Sequence, residues 1–186
     1  GGGRGNGDMP SVLLDHPASA RTKRRAGTTP GLGARPRCLP RPNPQGKVNP
    51  RLLAFASGYT WIARGYAYDV KGLKELIKEG IAHRGLAFLH VLQPCPTYND
   101  LHTKEWFAPR LYRLEEEGYD PLVPPGLPPE ALEARMARFQ QKALEWGERI
   151  PVGVFWKAEL PTFEARLKAY LPRYPEAYPA RGPETP

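Results

Sequence analysis

The sequence predicts an α/β protein with a parallel sheet and flanking helices, and one strand–helix–strand unit carries that prediction. "YTWIARGY" is rich in β-branched and aromatic residues, "VKGLKELIKEGIAHRG" has helical periodicity, and "LAFLHVLQ" is a short, nearly continuous apolar run. Together they fill residues 59–93 and form a βαβ unit, whose two strands lie parallel and adjacent. The second strand, apolar throughout, is expected to be buried on both faces of the sheet.

A helix is predicted before this unit, over "VNPRLLAFASG". Asn49 is a favoured N-cap, Pro50 suits the first helical position, and Gly58 ends the helix.

Within the βαβ unit, Asp69 caps the central helix and Gly85 ends it. Its apolar residues recur at helical spacing, at Val70, Leu73, Ile77 and Ile81.

The second half of the chain predicts three helices and a strand. "TKEWFAPRLYRLEEEG" is a helix candidate interrupted at Pro109, and "TFEARLKAYL" is a short final helix. "PPEALEARMARFQQKALEWGE" is the stronger candidate, with a packing stripe of Leu132, Met136, Phe139, Ala143 and Trp146. The strand candidate is Val152–Lys157. The whole is therefore an α/β domain with a helical C-terminal extension.

Residues 1–47 differ from the rest in composition. They contain nine Gly and seven Pro, whereas all 19 aromatic residues lie from Phe55 onward. Such a segment cannot bury enough apolar surface to offset its ordering entropy, and "SVLLD" (Ser11–Asp15) is its one strand-like run. We therefore divide the chain into residues 1–47, 48–100, 101–171 and a Pro-rich tail, 172–186.

Charge follows the same division and argues against nucleic-acid binding. Residues 1–47 hold nine Lys and Arg against two Asp, a net of +7, while the remaining 139 residues carry a net of +1. A nucleic-acid surface would place basic residues among aromatic platforms on the folded part, which the sequence lacks. The expectation is no nucleic acid as partner.

Other classes are excluded by what the sequence lacks. No apolar run approaches 18 residues, the N-terminus has no signal-peptide pattern, and two cysteines fit a reducing compartment. These features predict a cytoplasmic protein that does not bind membranes. A dinucleotide-binding dehydrogenase would need a Gly-x-Gly-x-x-Gly loop, which is absent.

Cys95 is the candidate site residue, because it stands between two prolines just past the second strand of the unit. Ligands of open α/β sheets bind beyond the carboxyl ends of the strands. Free cysteine is also a common small buried residue, and that interpretation stays open here. Proline after cysteine is frequent in iron–sulfur ligand runs, but a cluster takes about four ligands, and Cys38 is the chain's other thiol.

At residues 43–171 the sequence resembles the β subunit of 2-oxoacid:ferredoxin oxidoreductases. The motifs that carry the resemblance are "ARG" followed by "LQPCPTYN", and "IPVGVFWKAELPTFEARL" nearer the C-terminus. The resemblance implies part of a three-layer thiamine-diphosphate-binding fold. It also implies oxidative decarboxylation of a 2-oxoacid, pyruvate or 2-oxoglutarate, with coenzyme A and electron transfer to ferredoxin.

The same resemblance implies the cofactors, partners and site residues. Cys95 corresponds to one ligand of a [4Fe–4S] cluster. In "VLLDHPASARTKRRAGTTP", Asp15 and Thr22 correspond to residues that bind thiamine diphosphate and Mg²⁺, and Lys23 to the one that binds the substrate carboxylate. His16 stands where the family has an Asn ligand to magnesium, a departure that weakens this site. The implied partners are the α subunit, or α with γ and δ subunits, and ferredoxin.

The departures within residues 1–47 give two further expectations. One is that the chain is the C-terminal portion of such a subunit, a truncated or frame-disturbed product that is inactive in isolation. The alternative is a non-catalytic assembly module, or an inactive relic, that packs on partner subunits.

Overall fold

The structure, a computed structural model, describes residue 41, residues 48–95, residues 99–171 and residue 173. Its helices are α1 (Pro50–Ala56), α2 (Val70–Ala82), α3 (Lys104–Phe107), α4 (Pro129–Leu144) and α5 (Phe163–Tyr170), with a 3₁₀ turn at Glu115–Glu117. Its strands are β1 (Trp61–Tyr66), β2 (Ala87–Leu92), β3 (Leu111–Arg113), β4 (Leu122–Val123) and β5 (Ile150–Ala158).

The five strands form one sheet in the order β2-β1-β5-β3, with β4 also paired to β5. β1 and β2 are parallel neighbours, with Trp61 opposite Ala87 and Tyr66 opposite Leu92, so the predicted βαβ unit is confirmed. β5 runs antiparallel to β1 and carries β3 and β4 on its other side. Both predicted ranges, 48–100 and 101–171, therefore contribute to a single sheet.

The antiparallel β5 corrects the prediction of a parallel sheet, because the described sheet is mixed. Trp146, which follows α4, and Ile150, which starts β5, both pack with Tyr66 at the carboxyl end of β1. A strand that starts at that edge can only run back across the sheet. The sequence of β5 alone holds no signal for this direction.

The sheet lies between two helical layers. On one face, α2 packs closely against β1. A Cβ on Gly65 of β1 would be 2.7 Å from Leu73 Cδ1 of α2, and a Cβ on Gly80 of α2 would be 3.1 Å from the Trp61 ring of β1. On the other face, α1 and α4 cover β1 and β5 through a core whose buried residues include Ala54, Ile62, Phe139, Ala143 and Phe155. The three-layer expectation is thus confirmed for the described residues.

β2 is not buried on both faces, contrary to the prediction. It is the edge strand of the described sheet, and its Leu92 is buried whereas Ala87 and Val91 are exposed. The apolar stripe predicted for α2 is only partly buried as well. Leu73 packs over Gly65, whereas Val70, Ile77 and Ile81 are exposed. In β2 and α2, therefore, several apolar residues that the sequence predicts to be buried are exposed.

The remaining elements follow the sequence with one exception. The Asn49 side chain caps α1 by accepting from Arg51 N–H and Leu52 N–H, and Asp69 caps α2 by accepting from Gly72 N–H. The predicted helix around Pro109 is instead the four-residue α3, then β3 and the 3₁₀ turn. Pro109 offers no backbone N–H to continue a helix, and β3 gains ladder bonds to β5.

None of the helices in the described residues is both long and apolar enough to cross a membrane.

Candidate functional site

Cys95 lies three residues beyond the end of β2, at the carboxyl edge of the parallel pair. Its thiol is free and half-buried, and Pro94 before it is buried. The backbone N–H of Asn99 donates to the Cys95 carbonyl at 2.8 Å, and this hydrogen bond defines what is called here the Cys95 turn. Pro94, directly before Cys95, has a fixed φ and restricts the backbone that carries the thiol.

Asn99 fixes the far side of the same turn. It is buried, its Oδ1 accepts from His102 N–H at 3.2 Å, and its Nδ2 lies 3.1 Å from Nδ1 of His102. Donation from the amide to this ring nitrogen assigns the imidazole proton to Nε2. The Cys95 turn is thereby joined to the residues that begin α3, where Thr103 caps the helix.

Five aromatic residues line the same edge and are called here the aromatic wall: Tyr66, His102, Trp106, Phe107 and Trp146. The centroid of His102 lies 4.2 Å from that of Trp106 and 5.8 Å from that of Trp146, and Tyr66 lies 5.6 Å from Phe107. Ring pairs at these distances form a continuous apolar surface. The Asn99–His102 hydrogen bonds join this surface to the Cys95 turn.

The hydroxyl of Tyr66 is the polar atom of this wall without a partner. It is buried and makes no hydrogen bond within the described part of the chain. Burial, with smaller contributions from Tyr68 and Glu105, raises the pKa of Tyr66, so the phenol stays neutral. A neutral buried O–H remains available to donate a hydrogen bond.

Two buried arginines lie under the wall, on the face of α1 and α4. Arg64 is fully buried, donates to Pro151 O at 3.2 Å, and stacks over the rings of Trp146 and Phe155. Arg51 donates to Ala143 O at 2.6 Å and to Nδ1 of His90 at 3.0 Å. Burial lowers the pKa of Arg51 to about 9 and lowers that of Arg64 as well. Their charges are stabilised by carbonyls and rings, since no described carboxylate pairs with either.

Of the predicted site residues, Cys95 alone falls within the part of the chain that the structure describes. Asp15, His16, Thr22 and Lys23 lie outside it, so their placement beside Cys95 stays a prediction. Among the described residues no group of three His, Cys, Asp or Glu could hold a metal ion.

Sequence reasoning misses the aromatic wall and the arginine pair. Helical spacing places Trp146 in a packing stripe, and Arg64 stands out in the sequence only as part of the motif "ARG". The signal for the wall is "EWF" and "LEWG", two aromatic clusters far apart in sequence that the fold brings to one edge.

Comparison with known proteins adds the following. Residues 95–171 match the family model for the C-terminal part of the pyruvate ferredoxin oxidoreductase beta subunit. The chain is 50% identical over 181 residues to a 2-oxoacid:ferredoxin oxidoreductase subunit beta from Sulfolobus sp, covering 96% of this chain and 58% of that protein. It is 46% identical over 180 residues to the same subunit from Saccharolobus solfataricus, with the same coverage of both chains.

Two facts follow from these alignments. The chain spans a little over half the length of the curated relatives it matches. Since residues 48–186 number only 139, the 181-residue alignment extends well into residues 1–47. That extension indicates that much of residues 1–47 is related in sequence to these subunits, and it argues against a misread reading frame there.

A solved structure also resembles the fold, that of a 2-oxoglutarate:ferredoxin oxidoreductase from Magnetococcus marinus with 2-oxoglutarate, coenzyme A and succinyl-CoA bound. The TM-score is 0.57 and the identity 24%, over 77% of this chain and 45% of that chain. At this identity the match supports the similarity of fold alone.

Proposed function

We propose that the chain is part of a β subunit of a 2-oxoacid:ferredoxin oxidoreductase, since it matches a little over half the length of such subunits. In that role it would supply the Cys95 ligand of an electron-transferring iron–sulfur cluster. The proposed activity of the whole enzyme is oxidative decarboxylation of a 2-oxoacid with coenzyme A. The observation that carries the proposal is the position of the Cys95 thiol beyond the carboxyl end of β2.

The chemistry of this position suits one cluster ligand. Iron–sulfur clusters are held by Cys thiolates, and Cys95 is a free cysteine in a turn stiffened by proline. The fit is partial, because the described residues offer no second ligand nearby and the chain has only two cysteines. The other thiolates would come from outside residues 1–186. When bound, the cluster supplies one-electron transfer.

The roles proposed for the chain's own residues follow from the geometry around Cys95. The prolines and the Asn99 hydrogen bond hold the sulfur in place. The aromatic wall, which the Asn99–His102 hydrogen bonds join to the Cys95 turn, would limit water access to the site, and low water access is one factor that sets a cluster's reduction potential. The neutral Tyr66 hydroxyl can donate to an anionic group brought to this edge.

For the segment before Val48, we propose the roles that the resemblance implies. Asp15 and Thr22 would bind Mg²⁺ and thiamine diphosphate, and Lys23 the carboxylate of pyruvate or 2-oxoglutarate. The partners would be an α subunit, alone or with further subunits, and ferredoxin. Replacing Lys23 by Met in the assembled enzyme should raise KM for the 2-oxoacid, because the cationic partner of its carboxylate is lost.

The test of the ligand assignment uses the chain assembled anaerobically with its partner subunits. Cys95→Ser should remove most of the bound iron and the electron paramagnetic resonance signal of the reduced cluster. Cys38→Ser is the matched control and should keep both. Equal iron content in Cys95→Ser and the unaltered protein would contradict the proposal.

An assembly module without catalysis is the second candidate, favoured by the edge of β2, which no described strand pairs, and by the exposed apolar residues of α2. It predicts stable association with partner subunits but no iron or thiamine diphosphate in the purified complex. Metal analysis of that complex separates the two functions.

A further inference from the structure

We propose that the buried pair Arg51 and Arg64 binds a small inorganic anion, such as chloride, through the Nε–H group of each guanidinium. The inference does not depend on the proposed function. It rests on where the two side chains lie, on the donors that they leave without an acceptor, and on the balance of charge around them.

The two arginines and a histidine meet on one face of the sheet. Arg64 of β1 is opposite His90 of β2 in the parallel register, so their side chains leave the sheet on the same face. Arg51 of α1 reaches this face and donates to Nδ1 of His90 at 3.0 Å. The Cζ atoms of Arg51 and Arg64 lie 5.3 and 5.6 Å from the centroid of the Phe155 ring. Both guanidinium groups therefore border the same region of the core.

Each guanidinium group keeps one donor without an acceptor. Arg51 donates from its two Nη atoms to His90 and to Ala143 O. Arg64 donates from Nη1 to Pro151 O at 3.2 Å. The Nε atom of each arginine is buried and has no hydrogen-bond partner among the described residues. Buried donors without an acceptor are costly and rare in folded proteins, so two of them in one region indicate a bound acceptor.

The same region has an excess of positive charge. Arg64 is fully buried and Arg51 is 3% exposed, yet no described carboxylate lies within ion-pair distance of either. Glu145 acts on Arg64 only from a distance, because its oxygens are bonded to Tyr112 and Lys142. Burial, and then the charge of Arg51, lowers the pKa of Arg64, as expected for two like charges close together.

This environment determines the class of ligand. A buried lysine or histidine can lose its proton, whereas a guanidinium keeps its charge at neutral pH and needs a counterion. Water would offer an acceptor but no charge, so two cations with two open donors select an anion. Because both side chains are almost completely buried, the ligand must be small, which favours a halide over phosphate or a carboxylate.

The first test is urea unfolding of the full chain while potassium gluconate is replaced by potassium chloride at constant ionic strength. It is made at pH 8, where His90 is neutral with or without the ion. An ion that binds only the folded chain raises the unfolding midpoint as its concentration rises. With chloride at about 100 times its dissociation constant, the ratio of folded to unfolded chain should increase about 100-fold.

Two variants connect this response to the arginine pair. Arg51→Met and Arg64→Met keep a long side chain but remove its charge and its Nε donor, so either should abolish the response to chloride. Arg166→Met, at an exposed position of α5, is the matched control and should keep it. No response in the unaltered chain would overturn the proposal. A response of equal size in all four proteins would also overturn it, because it would be a general effect of salt.

A crystal structure of the unaltered chain in bromide locates the ion without any variant, and so decides the question even if a buried substitution prevents folding. The expected result is an anomalous-scattering peak within hydrogen-bonding distance of the Nε atoms of both Arg51 and Arg64. A water molecule at that position, or bromide bound only elsewhere, would contradict the assignment.

Discussion

At the scale of single residues, the buried cations set this core apart. Charged groups are seldom fully buried without an ionic partner, yet Arg64 and Arg51 lie in the interior beside Phe155. Carbonyl acceptors and ring faces take the place of a carboxylate. The arrangement affects the titration of the nearby His90, because this imidazole lies close to both cations.

His90 should make folding stability depend on pH. Burial, then Arg64 and Arg51, lowers its pKa from 6.5 to about 3. The unfolded chain therefore binds a proton below pH 6.5 that the folded chain does not accept until about pH 3. The free energy of unfolding is unaffected above pH 6.5, and falls towards pH 3 by up to about 1.4 kcal/mol per pH unit. Urea denaturation at pH 7 and pH 5 measures the difference.

His90→Gln should flatten this dependence between pH 7 and pH 5, a range in which most carboxylates do not titrate. His83→Gln serves as the comparison. The pKa of His83 is also lowered, chiefly by burial, but His83 does not contact the arginine pair, so this variant should flatten the slope less than His90→Gln does. Equal slopes for His90→Gln and the unaltered chain would show that His90 is not held neutral.

At the scale of elements, α2 is fixed to the sheet by its cap and by its glycine contacts. Asp69 accepts from Gly72 N–H at 3.0 Å and pairs with Arg113 at 2.6 Å, which joins the start of α2 to β3. Gly65 lets Leu73 approach the backbone of β1. A short contact and a cap together place the helix, although no residue of α2 is fully buried.

Asp69→Ala should lower the free energy of unfolding by about 1–2 kcal/mol, because it removes the cap and the ion pair together. Asp69→Asn keeps a capping oxygen and loses only the charge, so its cost should stay below about 1 kcal/mol. Thermal or urea unfolding of both variants gives the comparison. Equal losses would mean that the ion pair, and not the cap, holds the start of α2.

Gly65→Ala should destabilise the fold by about 1–3 kcal/mol, since the new Cβ would lie 2.7 Å from Leu73 Cδ1. Shortening the neighbour with Leu73→Val in the same chain should recover part of the loss. A double-mutant cycle measures this coupling, and strict additivity would refute the proposed contact.

How far the sequence predicts the fold differs between these elements. The caps at Asn49 and Asp69 and the βαβ unit follow from local patterns, and they are confirmed. The direction of β5 and the edge position of β2 depend on which strand each one meets, which a local pattern does not encode. Cys95 stands out through its flanking prolines, whereas the aromatic wall joins residues 80 positions apart in sequence, from Tyr66 to Trp146.

At the scale of the whole molecule, two buried clusters share one sheet. The larger joins α1, α4 and β5, and the smaller lies at the carboxyl edge around Tyr66 and Leu92. β1 and β5 contribute to both clusters, so the two are coupled through the same strands. We expect the described region to unfold as a unit.

Phe139→Ala should cost about 3–5 kcal/mol, because the ring is fully buried between Phe55 and Trp156. The conservative Phe139→Leu should cost clearly less. Urea denaturation followed by far-ultraviolet circular dichroism and by tryptophan fluorescence should give coincident transitions in every variant. Separate transitions would indicate that the two clusters unfold independently.

β5 has a consequence for how the protein is made. It is the last strand of the sheet to leave the ribosome, yet it covers one side of β1 and is the partner of β3 and β4. Until Ala158 has been synthesised, β1 keeps an exposed edge and the two shortest strands have no ladder. Pairings this distant in sequence form slowly, and unpaired edges attract other chains. The nascent protein is thus most vulnerable to aggregation before β5 emerges, and a chaperone that shields β1 would act in that interval.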